Sequence, residues 1–359
     1  MKANRVVIAG GGTGGHLYPG IAVARELRRR RPDVIVTFAG TARGIESRVV
    51  PREGFELDML RSAGLKGMSP LALVRGLSLL PLSAMDAWRI VSKRRPQLVI
   101  GVGGYSSGPV VLVAAMRSIP TLLLEQNAIP GFTNRRLAPF VSAAAVTYDT
   151  TVSFFGRRGF VTGNPVRPEF FDPTPAAGGP PGILIFGGSQ GAHAINMAMV
   201  EAAPRLAAHA GSLAITHQTG ERDLARVRDG YRAAGLEARV EPFLFAMDRE
   251  MKDASLVICR AGATTLAELT AAGRPAILVP LPTAADDHQR KNAEVLAAAG
   301  AAEVIDQSGM TGERLAERIL ALVADQERLR VMSEAAKSLA KPDAARAIVD
   351  RALMLLEPR

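Results

Sequence analysis

Two stretches decide the fold: VVIAGGGTGGH, Val6–His16, and GILIFGGSQGAH, Gly182–His193. Each runs from a short apolar segment into glycines and then into a helix-like pattern. A strand that stops at glycines and restarts as a helix leaves backbone N–H groups pointing outward at the positive end of the helix dipole. That arrangement is a seat for phosphate. Two such loops, half a chain apart, predict two similar α/β halves facing a shared cleft, each with its own phosphate seat.

Outward from these loops the chain alternates strand and helix. Short apolar runs with polar or glycine punctuation predict strands at Val6–Ala9, Val34–Ala39, Leu98–Gly101, Thr121–Glu125 and Ala143–Val146. A second series follows at Ile183–Phe186, Leu213–Gln218, Arg239–Pro242, Leu256–Cys259, Ala276–Val279 and Ala302–Val304. Helical patterns fall at Gly20–Arg30, Ala192–Ala208, Asp223–Ala234, Thr264–Ala272, Gln289–Ala298 and Gly312–Ala324. Repeated βα units of this kind predict doubly wound parallel sheets covered by helices on both faces. The proline- and glycine-rich stretch Gly163–Gly182 marks the boundary. The expected domains are 1–163 and 164–341, with the last helix, Asp343–Glu357, crossing back to the first.

Composition limits the chemistry. The 359 residues suffice for two cores, and 48% hydrophobic content excludes a disordered chain. A single cysteine, Cys259, excludes an intrachain disulfide framework and speaks against a multi-cysteine zinc site; at a buried strand end it reads as a core residue. Met1–Arg5 leads directly into a strand, so no secretory signal is expected and a reducing, cytoplasmic setting is. The net charge of +10 calls for nucleic acid, an anionic membrane or phosphorylated substrates as partner. Nucleic acid is the weakest of these, because no finger spacing or RNA-binding aromatic signature is present. The run Arg28–Arg31 reads as a solvated last turn of the first helix.

Several loops carry polar groups at strand ends, where ligands of open α/β sheets bind. Gly10, Gly12 and Gly15 satisfy G-x-G-x-x-G, but the acid that would hold a dinucleotide ribose is absent from the end of the second strand, Ala39-Gly40-Thr41. Thr13, Gly14 and Gly15 therefore read as a backbone cradle. His16, at its exit, suits either proton transfer near neutrality or capping of the helix. GVGGYSSGP, from Gly101, places Tyr105 and Ser106 at another strand end. EQNAIPGFTNR, Glu125–Arg135, does the same with three polar side chains. CRAGATTLAEL, Cys259–Leu269, opens a helix at Thr264 and Thr265, with Glu268 one turn on and able to accept both hydroxyls of a ribose. In PLPTAADDHQRKNA, Pro280–Ala293, an aspartate is expected to cap the helix and Gln289 to read sugar hydroxyls. No carboxylate pair demands a metal.

Taken together, GGTGGHLYPGIAVA, GVGGYSSGP, EQNAIPGFTNR, GNPVR, GGSQGA, CRAGATTLAEL and DDHQRKNA resemble, in order and over nearly the whole chain, one family of peptidoglycan glycosyltransferases. These add N-acetylglucosamine to undecaprenyl-pyrophosphoryl-N-acetylmuramoyl-pentapeptide, making lipid II from lipid I. The resemblance implies the GT-B fold, two Rossmann-like domains facing a cleft, with UDP-N-acetylglucosamine on the second. It implies Ser189 and Thr265 at the diphosphate, amid the turn Ala263, Thr264, Thr265, Leu266 and Ala267. Glu268 would hold the ribose, and Leu244 would meet the uracil through its backbone. Arg167, Asn127 and Gln289 would complete the donor site, with Thr13, Gly14 and Gly15 across the cleft. It implies an inverting transfer to the acceptor's C4 hydroxyl without cofactor or metal, His16 being the preferred base and Glu125 and Tyr105 competing or assisting groups. Phe245, Ala246 and the pair His288-Gln289 depart from the family's usual residues.

The same resemblance makes lipid I the acceptor and sets the enzyme at the cytoplasmic face of the cell membrane, with cell-wall and division proteins as further partners. The largely apolar stretch Gly67–Val91, ringed by Lys66, Arg75, Arg89, Lys93, Arg94 and Arg95, fits peripheral binding to an anionic leaflet. Other readings are another GT-B lipid glycosyltransferase, a sugar-nucleotide epimerase, or a membrane scaffold that binds nucleotide without turnover.

Overall fold

The computed structural model describes residues 4–42, 44–62, 79–172, 180–188 and 190–357. The chain divides into two compact units, one made of Met1–Arg167 with Lys341–Arg359 and the other of Pro168–Ala340.

The first unit is built on a seven-stranded sheet in the order β3-β2-β1-β4-β5-β6-β7. Its strands are β1 (Arg5–Ala9), β2 (Ile35–Gly40), β3 (Glu56–Met59), β4 (Leu98–Gly101), β5 (Thr121–Glu125), β6 (Ala143–Val146) and β7 (Gly159–Val161). Every pairing is parallel. The helices among the described residues are α1 (Gly14–Arg30), α2 (Glu46–Arg52), α3 (Leu80–Arg94), α4 (Ser107–Met116), α5 (Phe132–Leu137) and, after the second unit, α13 (Ala344–Leu356). The two-residue period of β1 sends Val6 and Ile8 into one core layer and Val7 and Ala9 into the other. That is why the strand reads as continuously apolar rather than alternating: both faces are covered.

The second unit has a six-stranded parallel sheet, β10-β9-β8-β11-β12-β13. Its strands are β8 (Gly182–Phe186), β9 (Ala214–Gln218), β10 (Arg239–Glu241), β11 (Leu256–Cys259), β12 (Ala276–Leu278) and β13 (Ala302–Val304). Its helices are α6 (His193–Ala207), α7 (Leu224–Ala233), α8 (Met247–Asp253), α9 (Ala263–Ala272), α10 (His288–Ala298), α11 (Gly312–Ala324) and α12 (Gln326–Ser338).

The boundary falls inside the glycine- and proline-rich stretch Gly163–Gly182, after Arg167 rather than after Gly163. Asn164–Arg167 belong to the first unit. Asn164 is buried, and the Arg167 guanidinium lies 5.5 Å from the ring centre of Tyr18 on α1. Gly163, at φ +83°, lies so close to Lys341 that a Cβ there would stand 2.4 Å from the lysine's own Cβ. The run Arg28–Arg31 is not a bare solvated turn either. Arg28 covers the Phe55 ring at 3.9 Å, and Arg29, Arg30 and Arg31 pair with Glu26, Asp350 and Asp33.

Helix α13 returns to the first unit and packs against α1. Ile348, Val349 and Ala352 are buried in the same layer as Val6, Ile8 and Leu17. Its docking combines this burial with the Arg30–Asp350 pair at 2.5 Å and Arg351 over the Phe160 ring at 4.9 Å. A partly exposed ion pair contributes about 0–1 kcal/mol, whereas truncating a buried isoleucine costs about 2–5 kcal/mol. Urea unfolding is therefore expected to show Ile348→Ala destabilised by several times the loss of Asp350→Ala. Equal losses would mean that the ion pair, not the apolar face, docks the helix.

Candidate active site

In each unit the loops that follow the strands all emerge at the strands' carboxyl ends, because every strand runs the same way. In the first unit β1 and β4 are neighbours, and the chain order reverses there, so the loops after them meet. They meet backbone to backbone. A Cβ at Gly10 would stand 2.6 Å from the carbonyl oxygen of Gly103, and one at Gly104 would stand 2.6 Å from that of Gly11.

This contact gathers five sequence-predicted residues. The Tyr105 ring stands over Gly12, 3.4 Å from where a Cβ would be. The His16 ring lies over Gly103, and its Nδ1 is hydrogen-bonded to Thr13 Oγ1 at 3.2 Å. Thr13 is the N-cap residue of α1, and Gly14 and Gly15 form its first turn. Gln126 reaches into the same place by donating to the carbonyl of Val102 at 3.1 Å.

Glu125 is placed differently. Its carboxylate is buried, and both oxygens accept. Asn127 donates its backbone N–H and side-chain amide to Oε1 at 3.0 and 3.2 Å. Gly131 N–H and the Asn134 amide donate to Oε2 at 3.0 and 2.8 Å. Burial pushes the carboxyl's pKa up, and these donors pull against it without reversing the direction. The geometry is that of a group folding the loop 126–134 over the end of β5.

In the first glycine loop one of the N–H groups expected to face a phosphate has a partner within the chain. Gly12 N–H already donates to Glu46 Oε2 at 2.7 Å. Glu46, the first residue of α2, is fully buried, and its Oε1 accepts from Thr41 N–H and Thr41 Oγ1 at 2.8 and 2.9 Å. This acid lies beyond the end of β2, on α2, and turns into the loop. A search confined to the strand end passes over it.

In the second unit the reversal of order falls at β8 and β11. The glycine loop after β8 and the turn after β11 flank that point. Ser189 lies outside the described residues. Its neighbour Gly191, at φ +74°, is pressed on the carbonyl of Thr219, where no Cβ fits. Helix α9 is capped by Gly262 in extended conformation and opens with Ala263, Thr264, Thr265 and Leu266. Ala267 and the half-buried Glu268 follow on its next turn. Gln289 Oε1 accepts from Leu281 N–H at 3.0 Å, and Asn292 donates to the carbonyl of Ala261 at 3.3 Å, so α10 is tied to both flanking loops.

Leu244 N–H donates to Gln218 Oε1 at 2.8 Å, while Gln218 Nε2 donates to the carbonyl of Gly188 at 2.8 Å. Gln218 therefore links the glycine loop to the loop after β10, a role the sequence reading missed. Phe243 and Phe245 flank Leu244, both exposed, with ring centres 5.0 Å apart edge to face. The expected aspartate cap of α10 is not made. Asp287 occupies the N-cap position in left-handed conformation, but its side chain pairs with Arg290 at 3.2 Å. Arg167, expected with this unit, lies in the first. Cys259 is fully buried, and burial together with nearby Glu268 pushes its thiol pKa up, as befits a core residue. Among the described residues no group of three or more His, Cys, Asp or Glu could hold a metal ion.

A polar chain underlies the second glycine loop. Asn196 Nδ2 donates to Thr219 O and to Asp223 Oδ2 at 2.9 and 2.8 Å. Its Oδ1 faces His217 Nε2 at 3.1 Å, and Tyr231 OH faces His217 Nδ1 at 2.7 Å. An amide oxygen only accepts, so Nε2 carries the proton and Tyr231 donates to Nδ1. His193 pairs with Asp223 at 3.0 Å. Burial pushes the Asp223 carboxyl up, but donors from Asn196, Arg222 and His193 outweigh it and leave the pKa below the ordinary value.

Two parallel-sheet units with their ligand loops at the carboxyl edges are the two halves of a GT-B fold. The family model of the glycosyltransferase family 28 N-terminal domain matches residues 6–146, and that of the glycosyltransferase family 28 C-terminal domain matches residues 182–348. The chain belongs to this family. A protein of Anaeromyxobacter sp. (strain Fw109-5) is 49% identical over 365 residues, covering 99% of this chain and 94% of its own length. It is named UDP-N-acetylglucosamine--N-acetylmuramyl-(pentapeptide) pyrophosphoryl-undecaprenol N-acetylglucosamine transferase. A protein of the same name from Pelobacter propionicus (strain DSM 2379 / NBRC 103807 / OttBd1) is 46% identical, covering 97% and 99%. The crystal structure of Acinetobacter baumannii MurG superposes with a TM-score of 0.78 at 33% identity, covering 98% of this chain and 99% of that one.

The buried histidine gives the unit a pH signature. Burial lowers the His217 pKa from 6.5 to about 3. The unfolded chain therefore takes up this proton first. The stability contribution is complete above about pH 6.5 and is lost as pH falls toward about 3, at about 1.4 kcal/mol per pH unit. Chemical unfolding between pH 7 and 4 should show this slope in the wild type and its absence in His217→Gln. The same slope in both would assign acid sensitivity to other groups.

Proposed function

We propose that this enzyme transfers N-acetylglucosamine from UDP-N-acetylglucosamine to the C4 hydroxyl of the N-acetylmuramoyl sugar in undecaprenyl-pyrophosphoryl-N-acetylmuramoyl-pentapeptide. This is the lipid I to lipid II step of peptidoglycan synthesis, on which cell shape and division depend. The observation that carries the reading is the β8/β11 reversal point of the second unit. There a glycine loop and the start of α9 at Thr264 and Thr265 stand side by side, an arrangement suited to a nucleoside diphosphate. Glu268, one turn along α9, accepts from the ribose hydroxyls in this reading. Leu244 N–H is committed to Gln218, so a backbone contact to uracil there falls to the carbonyl.

In the proposed reaction the acceptor oxygen attacks the anomeric carbon, the bond to the diphosphate breaks with inversion, and UDP leaves. Amides at the α9 N-terminus stabilise the charge developing on the leaving oxygen. The acceptor's proton passes to His16. Thr13 Oγ1 can accept as well as donate, so Nδ1–H donating to it puts the lone pair on Nε2. Glu125, with both oxygens occupied, serves by shaping its loop. Tyr105 stands close enough to Gly12 to assist.

We place the enzyme peripherally at an anionic leaflet on the cytoplasmic side. No helix among the described residues is long and apolar enough to cross a membrane. Residues 63–78 of the apolar stretch lie outside the described residues. What is described exposes Leu80, Met85 and Trp88 on α3, Leu112 and Met116 on the adjoining α4, and Phe132 on α5. Arg117 stands over the Trp88 ring at 5.0 Å and Arg136 over Phe132 at 5.2 Å. Arg94 is withdrawn from this rim. Its guanidinium is paired with Asp58 and Glu56, and Lys93 also pairs with Asp58.

Purified protein given UDP-N-acetylglucosamine and a lipid I analogue should release UDP and form disaccharide-lipid together. Donor epimerised without acceptor would point to an epimerase, and no UDP release to a binding scaffold. His16→Ala should lower kcat about 10²–10⁴-fold with UDP affinity nearly unchanged, and near-normal turnover would reassign the base. Trp88→Ala with Met116→Ser should weaken sedimentation with phosphatidylglycerol vesicles. Unchanged binding would put the docking face elsewhere.

A further inference from the structure

Glu46 is a fully buried ionisable group of the first unit that reaches from α2 into the first glycine loop. Three donors converge on its carboxylate: Gly12 N–H, Thr41 N–H and the Thr41 hydroxyl, at 2.7, 2.8 and 2.9 Å. The chain has also cleared space for it. A Cβ at Gly11 would stand 2.5 Å from the carboxyl carbon, one at Gly40 2.6 Å from Cγ, and one at Gly44 2.1 Å from Oε2. Three glycines, one from the loop after β1 and two from the stretch running from the end of β2 to α2, thus form a pit that fits this one side chain.

We propose that Glu46 is a positioning residue for the transfer: its carboxylate fills the first glycine loop where a phosphate would otherwise bind and fixes the turn that carries Thr13 and His16. The inference rests on the reading of His16 as the base. Gly12, whose N–H the carboxylate holds, directly precedes Thr13, and Thr13 Oγ1 is hydrogen-bonded to His16 Nδ1 at 3.2 Å. The route from Glu46 to the imidazole is therefore one hydrogen bond, one peptide link and a second hydrogen bond. A substrate phosphate at Gly12 would have to meet a buried carboxylate of like charge or expel it from its three donors, and either is costly. The two glycine loops that look alike in sequence thus differ in use. The first is occupied from within and orients a side chain.

The test is a double-mutant cycle on the intact protein with UDP-N-acetylglucosamine and a lipid I analogue. Glu46→Gln keeps the size but turns an amide toward one of the N–H donors. It is expected to lower kcat about 100-fold, as a 1 Å misplacement of a reacting group does, with the KM for UDP-N-acetylglucosamine within about threefold. In a His16→Ala background the same change should lower kcat no further than about twofold, because its effect passes through the imidazole. A structural role alone would multiply the two losses, and that result, or an unchanged kcat in Glu46→Gln, overturns the proposal. If His16→Ala itself turns over nearly normally, the base reading fails and takes the route through His16 with it, a distinct outcome. Thr41→Val removes only the hydroxyl donor and guards against a misfolded Glu46 variant. It should lower kcat about tenfold with KM again unmoved, and an unchanged kcat overturns the proposal equally.

Discussion

Both units depend on main chain approaching main chain without a side chain between. In the first, the loops after β1 and β4 touch through Gly10, Gly103 and Gly104. In the second, the loop after β8 lies on Thr219 at Gly191. Parallel strands about 4.8 Å apart deliver their loops to one edge, but ordinary residues would hold those loops apart by the thickness of their side chains. Removing the Cβ lets backbone N–H and carbonyl groups of neighbouring loops become one surface. Side chains of the site stand on that surface, His16 over Gly103 and Tyr105 over Gly12 in one unit, Gln218 against Gly188 in the other.

The two units then use the same scaffold differently, and side-chain chemistry explains how. A carboxylate accepts only, so Glu46 can gather N–H and O–H donors but cannot bind a carbonyl. It ties the loop after β1 to the chain leaving β2 through donors alone. Gln218, at the end of β9, both donates and accepts, so it joins the carbonyl of Gly188 to the N–H of Leu244. It couples two loops, one expected near the diphosphate and one near the base. An internal anion suits a unit whose glycine loop presents a side chain. A neutral bridge suits one whose helix starts are offered to a charged ligand.

The interior strands were legible because burial on both faces writes them as unbroken apolar runs. Two strands of the first sheet were not foreseen, and both are edges: β3, ELDM, and β7, GFV, at opposite ends of the order. An edge strand buries little and carries charge or glycine, so its sequence looks like a loop. The glycine loops and the turn opening α9 were legible as well, since their function requires particular residue types at fixed local spacing. Glu46 was not, because its partners Gly12 and Thr41 lie on other segments and nothing in its neighbours marks it as buried. Helix α12 was missed beside α11 because Asp325 ends one pattern and caps the next, its side chain accepting from Arg328 N–H at 2.8 Å. The chain from Tyr231 through His217 and Asn196 to Asp223 is likewise assembled across segments.

Charge shows most plainly why counting residues is not enough. The excess of +10 draws the eye to Arg28–Arg31 and Lys93–Arg95, yet all of the first run and most of the second are spent on internal partners. Arg28 and Arg30 hold α1 to the Phe55 ring and to α13, and Arg94 holds α3 to β3. The cations that matter for the proposed membrane face, Arg117 and Arg136, lie outside those runs and are found by their position over exposed aromatic rings. A guanidinium stacked on a half-exposed ring offers charge and apolar area at one depth. That pairing matches an interface where lipid phosphates and acyl chains meet within a few ångströms, and it would be wasted on a purely aqueous polyanion.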